Sequence, residues 1–278
     1  MPNSQITSLH SPHVERVKAL LGSRGKKFRK EEKQFIADGI QSVREALAPK
    51  IDSAPVVERL YVTDQGMAKL QEEIDSEVLS EVEIFPVTDE VMKAMADTES
   101  PQGILALCSF REMNLYKLAA LTPTRLAYFW ELQDPGNSGT VIRTGDACGF
   151  DAVLFSDKSV DIFSPKTVRA TVGSLWHLPI VESVTLDELF TFARENEFTT
   201  IAMAGEAIDS FLDMEIPEKT LLIFGNEARG LPELADVDAR VRIPMKGYSE
   251  SLNVASAAAI TMFHYGIAQN SQRSAADA

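Results

Sequence analysis

Leu221-Leu222-Ile223-Phe224-Gly225-Asn226-Glu227-Ala228-Arg229-Gly230-Leu231 is a run of four apolar residues that breaks at once into a glycine-flanked polar loop. A short apolar run without polar alternation reads as a strand buried on both faces, the kind found in parallel sheets covered by helices. Gly225 allows a close backbone approach to a ligand, and Glu227 puts a carboxylate at the strand tip. In open parallel sheets ligands sit at the carboxyl ends of the strands. Taken alone, the segment is equally a strand followed by a turn.

Outward from this stretch the same pattern repeats. Apolar strands are expected over 126–132, 152–155, 200–204, 221–225 and 241–245, separated by helical or loop segments, and a final helix over about 251–265 precedes a disordered tail at 271–278. Strands alternating with helices predict an α/β fold with a parallel sheet. Upstream, 14–48 reads as helical and basic around a Gly22/Gly25 break. Strands over 56–62, 82–87 and 103–110 alternate with helices over 65–76 and 89–95. The expected organisation is a small α/β sandwich over 1–110, a connection over 111–124 and a second domain over 125–270.

The 278 residues are 45% hydrophobic, ample for two packed cores. No stretch is long and apolar enough for a membrane span and no secretory signal is present, so the chain is expected to be cytoplasmic. Cys108 and Cys148 form no C-x-x-C pair, and His10, His13, His177 and His264 show no metal-ligand spacing, so metal-free chemistry is expected. The net charge of −14 argues against a polyanionic partner until its distribution is read. Residues 1–50 carry ten Lys or Arg against five acids, and the remainder 17 against 36. The cluster Arg24, Lys26, Lys27, Arg29, Lys30 and Lys33 is either a solvated face or a phosphate-contacting surface.

No G-x-G-x-x-G or P-loop is present, which excludes an ordinary dinucleotide-binding enzyme. Two further segments stand at strand ends. Asp134-Pro135-Gly136-Asn137-Ser138-Gly139-Thr140-Val141-Ile142-Arg143-Thr144 reads as a turn into a helix, with Asn137 as N-cap and Arg143 in its second turn. Ile243-Pro244-Met245-Lys246-Gly247-Tyr248-Ser249-Glu250-Ser251-Leu252-Asn253-Val254 runs from a strand through a loop into the last helix, with Ser251 as a candidate cap.

Together and in this order the three segments resemble the SpoU (TrmH) family of SPOUT-class RNA ribose 2′-O-methyltransferases. The resemblance extends over 125–265 and includes Gly149-Phe150, Ser164-Pro165-Lys166 and Arg169-Ala170. Ala37-Asp38-Gly39 and Pro101-Gln102-Gly103 are similar to the L30e-like RNA-binding domain that often precedes it. The resemblance implies a deep trefoil knot at the end of the sheet, a homodimer, and S-adenosylmethionine bound among Gly225, Ile243, Met245 and Leu252. It makes Arg143 the central catalytic residue, with Asn137, Glu227, Ser251 and Asn253 positioning substrate or cofactor. A guanidinium holds its proton firmly, so phosphate binding and alkoxide stabilisation suit Arg143 better than proton abstraction. Glu227 is the competing proton acceptor. The apolar final helix is consistent with a dimer interface and equally with an intrachain core. The two-domain form points to ribosomal RNA more than transfer RNA; a tRNA methyltransferase and a non-catalytic RNA-binding protein of the same fold are the alternatives.

Overall fold

The structure is a computed structural model that describes residues 4–22, 24–48, 50–51, 54–110, 112–226, 229–232, 237–249 and 251–276. It divides into two compact units, Met1–Arg111 with Asp161–Trp176, and Glu112–Val160 with His177–Ala278.

In the first unit, α1 (Pro12–Leu21) starts at Ser11, whose side chain accepts from the Val14 N–H, with proline in its first turn. It is followed by α2 (Gly25–Glu32), β1 (Gln34–Asp38) and α3 (Ile40–Leu47). β1 corrects the continuous helical reading of 14–48. Phe35, Ile36 and Ala37 are three consecutive buried residues paired antiparallel with the strand at 104–109, and so short an apolar run has no helical signature of its own. The two-residue pieces β2 (Lys50–Ile51) and β3 (Ala54–Pro55) precede β4 (Val57–Val62), α4 (Asp64–Glu73) and α5 (Ser76–Ser80). β5 (Glu83–Pro86), α6 (Asp89–Met95) and β6 (Ile104–Ser109) follow. The sheet order is β1-β6-β4-β5, with β4 and β5 parallel and the other neighbours antiparallel.

The two short segments quoted for the N-terminal resemblance meet in space. Gln102 Oε1 accepts from the Ile40 N–H at 3.0 Å, and Thr98 Oγ1 donates to Asp38 at 3.4 Å. Gly66 is required here, because a β-carbon on it would lie 2.0 Å from the Gly103 carbonyl oxygen.

α7 (Leu115–Ala119) opens the second unit and is followed by β7 (Arg125–Phe129), α8 (Pro135–Ala147) and β8 (Ala152–Phe155). The chain then supplies α9 (Pro165–Thr171) and a 3₁₀ turn to the first unit. Arg29 and Asp161 pair there at 2.5 Å, Phe110 stacks on Phe163 with centroids 4.1 Å apart, and Phe35 stacks on Trp176. Arg29 also donates to the Leu20 carbonyl and is 5% exposed, so it leaves the candidate phosphate-binding cluster; Lys26, Lys27 and Lys30 stay exposed.

After β9 (Ile180–Val181) and α10 (Leu186–Glu195) come β10 (Thr199–Met203), β11 (Thr220–Phe224), β12 (Ala239–Val241) and α11 (Val254–Ala276). All neighbours in the six-stranded sheet β12-β10-β11-β7-β8-β9 are parallel. β12 corrects the strand expected over 241–245. Arg242 turns to exchange backbone hydrogen bonds with 209–211, and Pro244 has no N–H for a ladder, so 243–245 are released as loop. α11 is longer than 251–265 and takes in 271–276, expected as tail; Gln269 to Ala276 contain neither glycine nor proline to stop it. Among the described residues no helix is long and apolar enough to cross a membrane.

Candidate active site

The carboxyl ends of β10 and β11 open onto a cavity of about 460 Å³. Its floor comes from Met203 and Ala204 at the end of β10 and from Phe224, Gly225 and Asn226 at the end of β11; its wall comes from Arg242, Ile243, Met245, Ser249, Ser251 and Leu252 ahead of α11. Gly225, Ile243, Met245 and Leu252, chosen from the sequence as cofactor contacts, all line it, as does Ser251. The size suits a nucleoside-sized ligand, and backbone polar groups beside apolar walls suit a purine and a thioether chain. These residues fit S-adenosylmethionine.

Gly225 has a reason for being glycine that the sequence reading did not supply. A β-carbon there would lie 2.5 Å from the Gly230 carbonyl carbon and 2.6 Å from the Leu231 nitrogen. The loop closes on itself, with Asn226 and Gly230 exchanging backbone hydrogen bonds of 3.0 and 2.8 Å. Glu227 lies outside the described residues.

Asn137 and Asn253 are brought together from opposite ends of the unit. Asn253 Nδ2 donates to Asn137 Oδ1 at 3.2 Å. Neither is capped as expected. Asp134 is the N-cap of α8, its carboxylate accepting from the Asn137 N–H at 2.8 Å with Pro135 in the first turn, so Asn137 is the third helical residue and not the cap. A carboxylate preceding Pro at N1 is a better cap than an amide two residues inside the helix. At α11, Asn253 Oδ1 accepts from the Ala255 N–H at 2.8 Å and does the capping expected of Ser251. Ser251 is exposed and its carbonyl accepts from Ser249.

α8 and α11 approach closely because α11 carries glycine where it meets the end of α8. A β-carbon on Gly266 would lie 2.5 Å from the Cys148 carbonyl oxygen, and one on Gly145 would lie 2.9 Å from Val153 and 3.4 Å from Met262. Arg143 is exposed on α8, six positions beyond Asn137 and so roughly 240° around the helix from it. It does not line the cavity, and its side chain has no ion pair or hydrogen bond among the described residues.

Sequence reading missed Glu131, which is 5% exposed just past the end of β7. Its carboxylate pairs with Arg229 and, at 3.3 Å, with Lys158; its carbonyl accepts from Asn226 Nδ2 at 2.8 Å. A carboxylate flanked by Trp130 and Leu132 inside an expected apolar strand was the available signal. Among the described residues no group of three or more His, Cys, Asp or Glu is placed to hold a metal ion.

A parallel α/β sheet whose strand ends and C-terminal connection enclose a nucleoside-sized cavity defines a nucleotide-cofactor protein of the open-sheet class. Comparison with known proteins narrows this. A model of the SpoU rRNA Methylase family matches residues 125–263, and one of an MRM3-like substrate binding domain matches 14–106. The chain is 33% identical over 264 residues to the 23S rRNA (guanosine(2553)-2′-O)-methyltransferase RlmP of Bacillus subtilis, covering 93% of this chain and 99% of that one. It is 30% identical over 267 residues to the 23S rRNA (uridine(2479)-2′-O)-methyltransferase of Streptomyces viridochromogenes, covering 93% and 90%. The crystal structure of an AdoMet-bound rRNA methyltransferase from Sinorhizobium meliloti superposes with a TM-score of 0.80 at 28% identity, covering 94% of this chain and 97% of that one. This chain belongs to the SpoU rRNA Methylase family.

Proposed function

We propose that the chain methylates a ribose 2′-hydroxyl of ribosomal RNA with S-adenosylmethionine as donor. The observation that carries this reading is the convergence of Gly225, Ile243, Met245, Ser251 and Leu252, from two separate stretches of sequence, on one cavity at the strand ends. The cofactor supplies a methyl group already activated on a sulfonium. The protein therefore aligns the 2′-oxygen with that methyl and provides for the proton lost as the new C–O bond forms.

Gly225, Asn226 and Gly230 present backbone groups to the cofactor while Ile243, Met245 and Leu252 enclose its apolar parts. Arg143, exposed and unpartnered among the described residues, binds an RNA phosphate and stabilises the developing alkoxide. The Asn137–Asn253 pair sets the mouth between α8 and α11. Ser251 orients substrate, and Glu227 supplies a carboxylate. Lys26, Lys27 and Lys30 on α2 contact RNA phosphates and offset the acidity of the rest of the chain.

The active form is a cytoplasmic homodimer. Ile260, Phe263 and Ile267 support the dimer: they are 43%, 59% and 50% exposed at i, i+3 and i+7 of α11, opposite the buried Ala258, Met262 and Tyr265. The connection 242–253 carries a deep trefoil knot, a reading supported by its course from the sheet edge at β12, along the ends of β10 and β11, to α11 beside α8. Similarity to the 23S rRNA enzymes over both domains favours ribosomal over transfer RNA.

The test is transfer of labelled methyl from S-adenosylmethionine to unmodified ribosomal and transfer RNA, followed by nucleoside analysis. A 2′-O-methylated nucleoside from ribosomal RNA is expected. Label in transfer RNA alone would reassign the substrate, and label on a base would refute the ribose reading.

A further inference from the structure

We propose that Glu131 is a positioning residue for the cofactor site: it staples the Asn226–Gly230 loop to the end of β7, and cofactor affinity depends on that staple. The inference rests on the reading of the cavity as the S-adenosylmethionine site.

Glu131 has a φ of 47°, in the left-handed region. A residue with a β-carbon is disfavoured in that conformation, which glycine adopts almost without cost. Its carboxylate is also 6% exposed, a second unfavourable placement. A residue kept where both backbone and solvation oppose it must be held by strong partners, and it has two on its backbone and two on its carboxylate. The Glu131 N–H donates to Ser156 Oγ at 2.8 Å, just past β8. Lys158 Nζ approaches Oε1 at 3.3 Å. The other two lie on the cofactor loop: Asn226 Nδ2 donates to the Glu131 carbonyl at 2.8 Å, and the Arg229 guanidinium pairs with Oε2.

Those two contacts differ in kind from the rest. Asn226 and Gly230 line the cavity, and Arg229 directly precedes Gly230. Asn226 is itself bridged to Arg229, its Oδ1 accepting from the Arg229 N–H at 3.2 Å. The loop is thus gripped at both ends by one residue, through a carbonyl at Asn226 and a carboxylate at Arg229. Glycine at 131 would keep the carbonyl contact and relieve the backbone while losing the charged one. Stability and cofactor affinity should therefore separate at this position, as they would not for a purely structural residue.

The experiment is calorimetric titration of S-adenosylhomocysteine and S-adenosylmethionine into the full chain, with thermal unfolding alongside, for the wild type and for Glu131→Gly, Glu131→Gln, Arg229→Ala and Lys158→Ala. In Glu131→Gly the unfolding midpoint is expected to stay near that of the wild type while the dissociation constants rise about 10- to 100-fold, the scale of a lost charge-assisted hydrogen bond. Glu131→Gln and Arg229→Ala should move in the same direction, and Lys158→Ala should leave affinity within about twofold, because Lys158 pairs with Glu131 from outside the cofactor loop. Unchanged affinity in Glu131→Gly and Arg229→Ala would overturn the proposal, as would a loss in Lys158→Ala equal to that in Arg229→Ala. Failure of the wild type itself to bind either molecule would instead refute the reading of the cavity.

Discussion

Two guanidinium–carboxylate pairs, one in each unit, show how the same chemistry serves different ends. Arg29 and Asp161 are both buried, with side chains 6% and 10% exposed. Glu131 is as buried as they are, but its partners Arg229 and Lys158 are 71% and 67% exposed. Where both charges have left water, each is indispensable to the other, and removing one strands its partner. Where one charge is buried and the others reach it from solvent, the stranded group can be rehydrated or replaced, and the pair contributes chiefly to the placement of the loop that brings Arg229. The first pair is a folding element and the second a tuning element.

The largest effect should come from breaking the first pair on one side. Asp161→Ala is expected to cost about 3–5 kcal/mol in denaturant unfolding, because Arg29 stays buried with its charge uncompensated. The double variant Arg29→Met/Asp161→Leu should recover most of that loss. If the single variant is nearly neutral, the distinction between the two pairs collapses.

Next in size is a steric control in the second unit. Gly266→Ala sets a β-carbon against the Cys148 carbonyl and should cost about 1–3 kcal/mol, as overpacking does elsewhere. It should also lower methyl transfer by spreading α8 from α11 and loosening the Asn137–Asn253 contact, which a crystal structure of the variant would show directly.

The smallest effect on stability should come from the exposed basic residues. Neutralising Lys26, Lys27 and Lys30 together should shift stability by less than about 0.5 kcal/mol per site while weakening RNA binding and flattening its salt dependence. Arg29→Ala should do the reverse, lowering stability with little specific effect on the salt slope. Equal behaviour of the two variants would return Arg29 to the phosphate-binding set. On activity alone, Arg143→Ala should be severe with cofactor affinity retained; if Arg143→Lys kept near-full rate, bidentate phosphate recognition would be the wrong account of its role.

Much of this was legible in one sequence. The apolar runs at 152–155 and 221–224 are strands because a stretch buried on both faces needs no alternation, and their spacing with helices between them already implies the parallel sheet. Gly225, Ile243, Met245 and Leu252 could be singled out because the motifs that carry them resemble the family's cofactor-binding segments, and all four line the cavity. β1 was not legible, since Phe35-Ile36-Ala37 declares itself a strand only once β6 lies beside it. The caps were misread because Asp134, Asn137, Ser251 and Asn253 are all competent cap residues, and only the helix start selects among them.

The sequence by itself determined most of the element types, the parallel architecture of the second unit and the cofactor-lining segments, because each follows from local periodicity, turn chemistry or a contiguous motif. The tertiary structure alone decided that Arg29 belongs to the core and not to an RNA surface, that Asn253 reaches Asn137, and that Glu131 grips the loop bearing Arg229. These pairs are 132, 116 and 98 residues apart. The local pattern specifies which face of an element avoids water but not which distant polar group meets it there. That choice is made by packing, through glycines such as Gly225 and Gly266 that let one backbone approach another.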